Sequence, residues 1–314
     1  MRRLLPQLLD ARARCHDLMS RYIHLKDYPW LCLSLCLATT PVLASTESSS
    51  LPVSSVAAEA IAPQLMDVLT LPYRSAENTA RDPYRNPAAT LTFFGIKPNQ
   101  SVLEIWPARG WYTEILAPYL KNEGQLTIAH FRIDTAIDDE RKKFWSKLAH
   151  RLQQDIAEHK AHFGDVKAMA FDPPQLMLPV DAGPFDMILS FRNAHIWNEE
   201  GHLNKVLSNF YQVLKPGGTL GLVEHRASRL SDISSSAAEG YLDESYVIKA
   251  AEQAGFTLIE RSEINANPRD SKDHPKGVYA LPPTLAMGQK DRERYLAIGE
   301  SDRMTLRFRK IEKP

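Results

Sequence analysis

Three stretches of the 314-residue chain concentrate side chains capable of chemistry. In Arg192-Asn193-Ala194-His195-Ile196-Trp197, a guanidinium, an amide, an imidazole and an indole fall within one short run. An unperturbed imidazole titrates near neutrality, so His195 can take a proton from a reacting group; equally, it can close a loop through hydrogen bonds. His225-Arg226 forms a second pair, in which His225 can line a pocket and Arg226 is better suited to bonding loop carbonyls. The third stretch is Val102-Leu103-Glu104-Ile105-Trp106-Pro107-Ala108-Arg109-Gly110-Trp111-Tyr112-Thr113-Glu114-Ile115-Leu116. An acidic residue at a strand end, a turn containing glycine and then a helix can receive a nucleoside cofactor that carries positive charge. The turn lacks G-x-G-x-x-G, so a cofactor without phosphates suits it better than NAD. Asn265, Asn267, Asp270, Lys272, Asp273 and His274 make a polar run that reads by default as a solvated loop, or as a lid over a site. Asp273-His274 with His225 supplies metal-ligand residue types, but the spacing matches no recognised site and no metal is assigned.

The elements that must position these residues alternate between strand and helix, which calls for a mostly parallel sheet with helices on both faces. Strands are predicted over Ser101 to Trp106, Gln125 to Phe131, Lys167 to Phe171, Phe185 to Ser190, Thr219 to Glu224 and Phe256 to Ser262. Arg303 to Ile311 alternates in polarity and is predicted as a final, antiparallel edge strand, giving a seven-stranded, doubly wound, Rossmann-like α/β fold. Helices are predicted over Ala88 to Phe94, Trp111 to Leu120, Asp138 to His162, Glu200 to Leu214 and Asp243 to Ala254. The fourth of these places Leu203, Val206, Leu207, Phe210, Val213 and Leu214 on one face. Gly255 supplies the left-handed stop of the last.

In such a sheet a ligand binds outside the carboxyl ends of the strands, where strand order reverses. At that edge the resemblance becomes specific. Val102 to Leu120, with Leu214-Lys215-Pro216-Gly217-Gly218, resembles class I S-adenosylmethionine-dependent methyltransferases. Arg81-Asp82, Trp111 to Pro118, Arg192 to Trp197, Ser262 to Asn267 and Glu300-Ser301-Asp302-Arg303-Met304 are similar to a group of predicted bacterial methyltransferases, many with export signals. The likeness covers roughly residues 74 to 311 and implies no particular substrate. It implies S-adenosylmethionine as cofactor, with Glu104, Gly110, Asp172 and Asp186 as candidate cofactor-binding residues; Trp106, clustered with Trp111 and Tyr112, reads by default as core packing and is a further cofactor-binding candidate by stacking on the ligand. It makes Arg192, Asn193 and His195 the catalytic candidates. Trp197, His225, Asn265 and Asn267 become candidates for binding a small-molecule acceptor. Methyl transfer is a direct displacement that needs alignment, and needs a base only where the acceptor loses a proton. Trp106 and Ala108 stand where two glycines of the usual turn would be, and Arg109 adds a cation. The second strand ends in His130-Phe131 with no carboxylate, although Asp134 is close in sequence.

At the N-terminus, Trp30 to Ala38 is an apolar run of signal-peptide length, preceded by Arg21 and Lys26. Residues 1–44 are expected to be a signal peptide cut after Ala44, with Met19 as an alternative start; residues 45–73 then form a leader and helical segment. Residues 74–314 form the methyltransferase-like domain, with a polar insertion around 264–300. The expected location is periplasmic or secreted, with no stable membrane anchor after cleavage. Cys15, Cys32 and Cys36 all precede the cut, which excludes a cysteine nucleophile from the mature chain. The whole chain has 38 basic and 38 acidic residues, and removing the six basic and three acidic ones of residues 1–44 leaves 32 and 35. That near-balance gives no electrostatic reason to expect nucleic acid as a partner. The leading alternative to an enzyme is an exported, non-catalytic ligand-binding or scaffolding protein with a degenerate cofactor turn.

Overall fold

A computed structural model describes residues 63–228 and 232–311. The expected signal peptide and its cut lie outside these residues. The described chain opens with four short helices, α1 (Pro63–Leu69), α2 (Ala76–Thr79), α3 (Asp82–Arg85) and α4 (Pro87–Phe94). It then alternates through β1 (Ser101–Ile105), α5 (Thr113–Leu120), β2 (Gln125–His130), α6 (Glu140–Glu158), α7 (Lys160–Phe163), β3 (Lys167–Ala170) and β4 (Phe185–Phe191). After these come α8 (Ala194–Glu199), α9 (Leu203–Val213), β5 (Leu214–His225), α10 (Ile233–Ala238), α11 (Glu244–Gln253), β6 (Thr257–Ser262), α12 (Arg292–Ile298) and β7 (Arg303–Arg309).

The strands form one seven-stranded sheet in the order β3-β2-β1-β4-β5-β7-β6. β1 to β5 run parallel, and β7 runs antiparallel to both of its neighbours. Side chains alternate across the sheet, so adjacent β1 residues serve different cores. Leu103 and Ile105 join Ile188, Leu220 and Leu222 under α8, α9 and α11. Val102 joins Ile128, Met187 and Leu189 under α1, α4 and α5. α9 buries Leu203, Val206, Leu207, Phe210 and Val213, the face that its spacing predicts. Asp139 caps α6 by accepting from the Lys142 amide at 2.8 Å. Among the described residues no helix is long and apolar enough to cross a membrane.

The structure corrects three expectations. β7 is not an edge strand: it lies between β5 and β6, and β6 forms the edge. Its alternation suggested one solvated face, but Arg303 is buried, and Arg307 donates to the Phe93 carbonyl at 2.8 Å and to Glu260. The helix expected from Glu200 to Leu214 is α9, which begins only at Leu203; a separate helix that was not expected, α8, precedes it, with Gly201 at φ +74° between the two. The helix expected from Asp138 to His162 likewise divides at His159 into α6 and α7.

Strand order reverses between β1 and β4, where β1 leads outward to β2 and β3 while β4 leads the other way to β5. The carboxyl ends of β1, β4 and β5 therefore open onto one crevice.

Candidate functional site

The turn after β1 keeps the backbone of a glycine-rich loop with few glycines. Trp106, Ala108 and Gly110 have φ of +44°, +54° and +78°, a region that disfavours side chains other than glycine. Glu104 sits beneath the turn, 1% exposed, and accepts from the Thr113 hydroxyl at 2.7 Å. Burial pushes its carboxyl up to about 8 against the opposing pull of that bond. It is a neutral acid near pH 7 and faces the interior.

Trp106 fills the space between the turn and the ends of β2 and β3. Its Nε1–H donates to the Phe171 carbonyl at 2.8 Å, and its ring lies 5.4 Å from both Trp145 and Trp197 and 5.8 Å from Phe131. A pocket of only about 70 Å³ is left beside it, against His130, Phe131, Trp145 and Asn193. His130 closes the end of β2 by bonding the Phe131 carbonyl through Nδ1 at 2.8 Å and receiving Gln153 on Nε2 at 2.6 Å. Asp134 pairs with Arg132 at 3.0 Å and takes no part in either cavity.

A much larger cleft, about 1080 Å³, runs along the carboxyl edge of the sheet from Pro107, Ala108 and Arg109 to His195 and His225. At its far wall the first turn of α8 brings His195 over the end of β5. The His195 Nδ1 lies 3.0 Å from Glu224 Oε1, and the His195 amide donates to Oε2 at 3.1 Å. Glu224 is fully buried and also accepts the His225 amide at 2.7 Å. The carboxylate thus makes Nδ1 the protonated nitrogen and leaves Nε2 as the basic one. Tyr279 reaches that Nε2 at 3.4 Å. His225 packs with its ring centre 5.5 Å from that of His195 and bonds Ser301 Oγ through Nδ1. Burial, then the nearby His195, Arg192, Arg303 and Arg85, pushes His225 well below the usual imidazole range, so it is neutral.

Next to the histidines lies a group of arginines around one carboxylate. Glu300 accepts from Arg81 Nε at 2.7 Å, Arg85 Nε at 3.0 Å and Arg303 Nη1 at 3.1 Å. Burial alone would raise Glu300, but Arg85, Arg303, Arg192 and Arg81 outweigh it and hold it at about 2. Arg192 leaves β4 at φ +63° and lines the cleft with Arg81 and Arg85. Burial lowers its guanidinium to about 10, still charged near neutrality.

Arg192, His195 and His225 therefore share the large cleft, while Asn193 and Trp106 border the small pocket. Asn193 also ties α8 to β1 by donating to the Ile105 carbonyl at 2.9 Å. Several other candidates have structural duties instead. Asp186 begins β4, at the end of the sheet opposite the cleft, where it takes the Ser101 amide and Lys215 at 2.8 and 2.7 Å. Asp172 is buried against Arg132 at 3.1 Å and lines neither cavity. Gly110 lines neither cavity; its φ of +78° favours glycine, and a Cβ there would push on the tip of Leu152, whose Cδ1 lies 2.5 Å away. Trp197 is fully buried in the core under α9. Asn265 donates to Thr90 and Thr305 at 2.9 and 3.0 Å, and Asn267 to the Ile298 and Glu300 carbonyls at 2.9 and 2.7 Å; both brace the chain behind the cleft.

The insertion is likewise no solvated loop. Asp270 accepts from Tyr241, the Lys272 amide and the Asp302 amide and pairs with His274 at 2.9 Å, so His274 is engaged by Asp270 and is not grouped with His225 as a metal ligand. Tyr279, Pro282 and Thr284 of the same insertion wall the cleft. Arg226 bonds the carboxylates of Glu244, Glu263 and Asp302, where loop carbonyls were expected. Glu300 entered the sequence reading only within a matched segment, with no role; Glu224, Arg85 and Tyr279 escaped it. Of these only Glu224 left a signal, an acid closing an otherwise apolar strand beside a histidine.

His195, Glu224 and His225 offer ligand atoms within 4.8 Å of one another, a group that could hold a metal ion. The charges nearby oppose this. Glu224 already accepts three hydrogen bonds, and Arg192, Arg303 and Arg85 place positive charge beside His225.

No protein-family model and no curated protein matches the sequence. Among solved structures, the chain is similar to an S-adenosylmethionine-dependent methyltransferase from Aquifex aeolicus, at 15% identity over 74% of this chain and 93% of that one, with a TM-score of 0.48. A putative sarcosine dimethylglycine methyltransferase from Galdieria sulphuraria gives 14% identity, 76% and 88% coverage and a TM-score of 0.49. The N-methyltransferase NodS from Bradyrhizobium japonicum gives 18%, 74%, 97% and 0.44. These likenesses concern the fold; what the chain does has to be argued from its site.

Proposed function

We propose that the protein transfers a methyl group from S-adenosylmethionine to a small-molecule acceptor whose reacting group gives up a proton to His195. The observation that carries this reading is the His195–Glu224 pair, 3.0 Å apart, at the carboxyl edge of the sheet and in the same cleft as the turn after β1. The cleft, about 1080 Å³, has room for two small molecules side by side, whereas the pocket under Trp106, about 70 Å³, takes no nucleoside. The cofactor therefore fits the cleft and not the pocket. Pro107, Ala108 and Arg109 would hold it, with Glu77 and Asp155, acids that line the cleft beside the turn. When bound, it supplies a sulfonium methyl group as electrophile. His195 Nε2 would take the proton that the acceptor's N–H or O–H gives up as that atom receives the methyl group. Glu224 stabilises the imidazolium that results.

Calorimetry with S-adenosylmethionine and S-adenosylhomocysteine on the purified protein tests the reading. Binding below millimolar ligand is expected, and silence at millimolar ligand removes it. The Trp106 indole gives the non-catalytic, ligand-binding reading its best support, and that same silence would favour it. The proposal includes export with cleavage after Ala44, checked by the mass of the protein recovered from the periplasm.

A further inference from the structure

We infer that the acceptor is an anion, held by Arg192 and Arg85 through a carboxylate or phosphate group while His195 faces its reacting atom. The inference rests on the methyltransferase reading of the cleft and adds the chemical class of its substrate. Four guanidinium groups, those of Arg81, Arg85, Arg192 and Arg303, surround the single carboxylate of Glu300, an excess of three positive charges. Like charges gathered in a poorly solvated site are costly unless something compensates them.

Their hydrogen-bonding capacity is also unspent. Among the described residues the Arg192 side chain makes no hydrogen bond or ion pair, although it lines the cleft three positions before His195. Arg85 bonds Glu300 through Nε alone, and its guanidinium lies 4.6 Å from the Trp111 ring centre. Arg81 Nη2 is buried without a partner. A guanidinium presents paired N–H donors in a plane, matching two oxygens of a carboxylate or phosphate. The left-handed backbone of Arg192, unusual for a residue with a side chain, is the kind of strain that fixes a functional group in place. A cation is excluded from this wall by the same charges that attract an anion.

The cofactor's own carboxylate has this chemistry too, so the test separates the two sources. The full-length protein is titrated with inorganic phosphate and with malonate, alone and with S-adenosylmethionine at saturation. Wild type is expected to bind at least one of them. Arg192→Gln should weaken that binding roughly tenfold or more, with Arg192→Lys in between. Arg192 has no partner to lose, so its variants should fold, which circular dichroism checks. Equal affinity in wild type and Arg192→Gln, or no binding of either anion, overturns the inference. Displacement of the anion by S-adenosylmethionine also overturns it, by assigning the arginines to the cofactor. Failure of S-adenosylmethionine to bind sinks the methyltransferase reading instead, and the anion titrations still report on Arg192.

Discussion

Glu224 holds the Nδ1 of His195 at 3.0 Å from a position where the carboxylate is itself pinned by two backbone amides. The imidazole can therefore neither rotate nor exchange tautomers without breaking a buried charge-assisted bond. For an acceptor that must lose a proton, His195→Gln is expected to slow methyl transfer by roughly 10²- to 10⁴-fold. Glu224→Gln should slow it less and leave KM nearly unchanged. Rates followed with a labelled methyl group across neutral pH check both. A His195→Gln enzyme that keeps the wild-type rate and pH profile would show that His195 only closes its loop.

Glu104 gives the fold a pH dependence of unusual sign. Its folded value of about 8 lies above the ordinary 4.5, so between the two the unfolded chain has released a proton that the folded one retains. The stabilising contribution is complete below the unfolded value and is lost as pH rises towards the folded one, at ~1.4 kcal/mol per pH unit. Wild type should melt at a lower temperature at about pH 9 than at about pH 5, and Glu104→Gln should flatten that difference. Parallel melting curves for the two proteins would refute the assignment.

Glu300 behaves in the opposite way. Its folded value of about 2 lies below the ordinary 4.5, so its contribution is present above the unfolded value and disappears as pH falls through the folded one. Glu300→Gln leaves the surrounding guanidinium groups without their carboxylate and should cost roughly 3–5 kcal/mol near neutrality. Urea unfolding at neutral and acid pH measures it, with the gap between variant and wild type closing in acid.

The strained turn yields a pair of opposite effects. Ala108→Gly relieves a residue at φ +54° and is expected to gain about 1 kcal/mol, reduced by the added freedom of the unfolded chain. Trp106→Gly relieves φ +44° but removes an indole packed on four aromatic rings, a net loss of roughly 3 kcal/mol. The same change opens the small pocket and should tighten S-adenosylmethionine binding. Thermal melting and calorimetry on the two variants report both effects.

The parallel half of the sheet was legible because β1, β2, β4 and β5 are apolar runs separated by helical periodicity. The position of β7 was not. Arg303 and Arg307 look like solvent-facing residues until Glu300, Glu260 and the Phe93 carbonyl are brought to them by the fold. The same long-range pairing hid the arginine cluster, since Arg85 and Glu300 meet across 215 residues. That His195, His225 and Arg192 line one cleft could be anticipated because all three follow strand ends, which spacing predicts. Asp186, Asn265 and Asn267 misled for the converse reason, being polar groups whose buried backbone and side-chain partners lie far along the chain.

The place of β7 between β5 and β6 also constrains how the molecule is made. β6 pairs with the sheet only through β7, and Glu300, the carboxylate set among Arg81, Arg85 and Arg192, is synthesised after all of them. On the ribosome, the growing chain therefore carries an unpaired strand and an uncompensated cluster of cations until residues beyond 300 emerge. Chains released early would lack the wall of the cleft and expose the edge of β5, the features by which a protease or chaperone distinguishes unfinished protein.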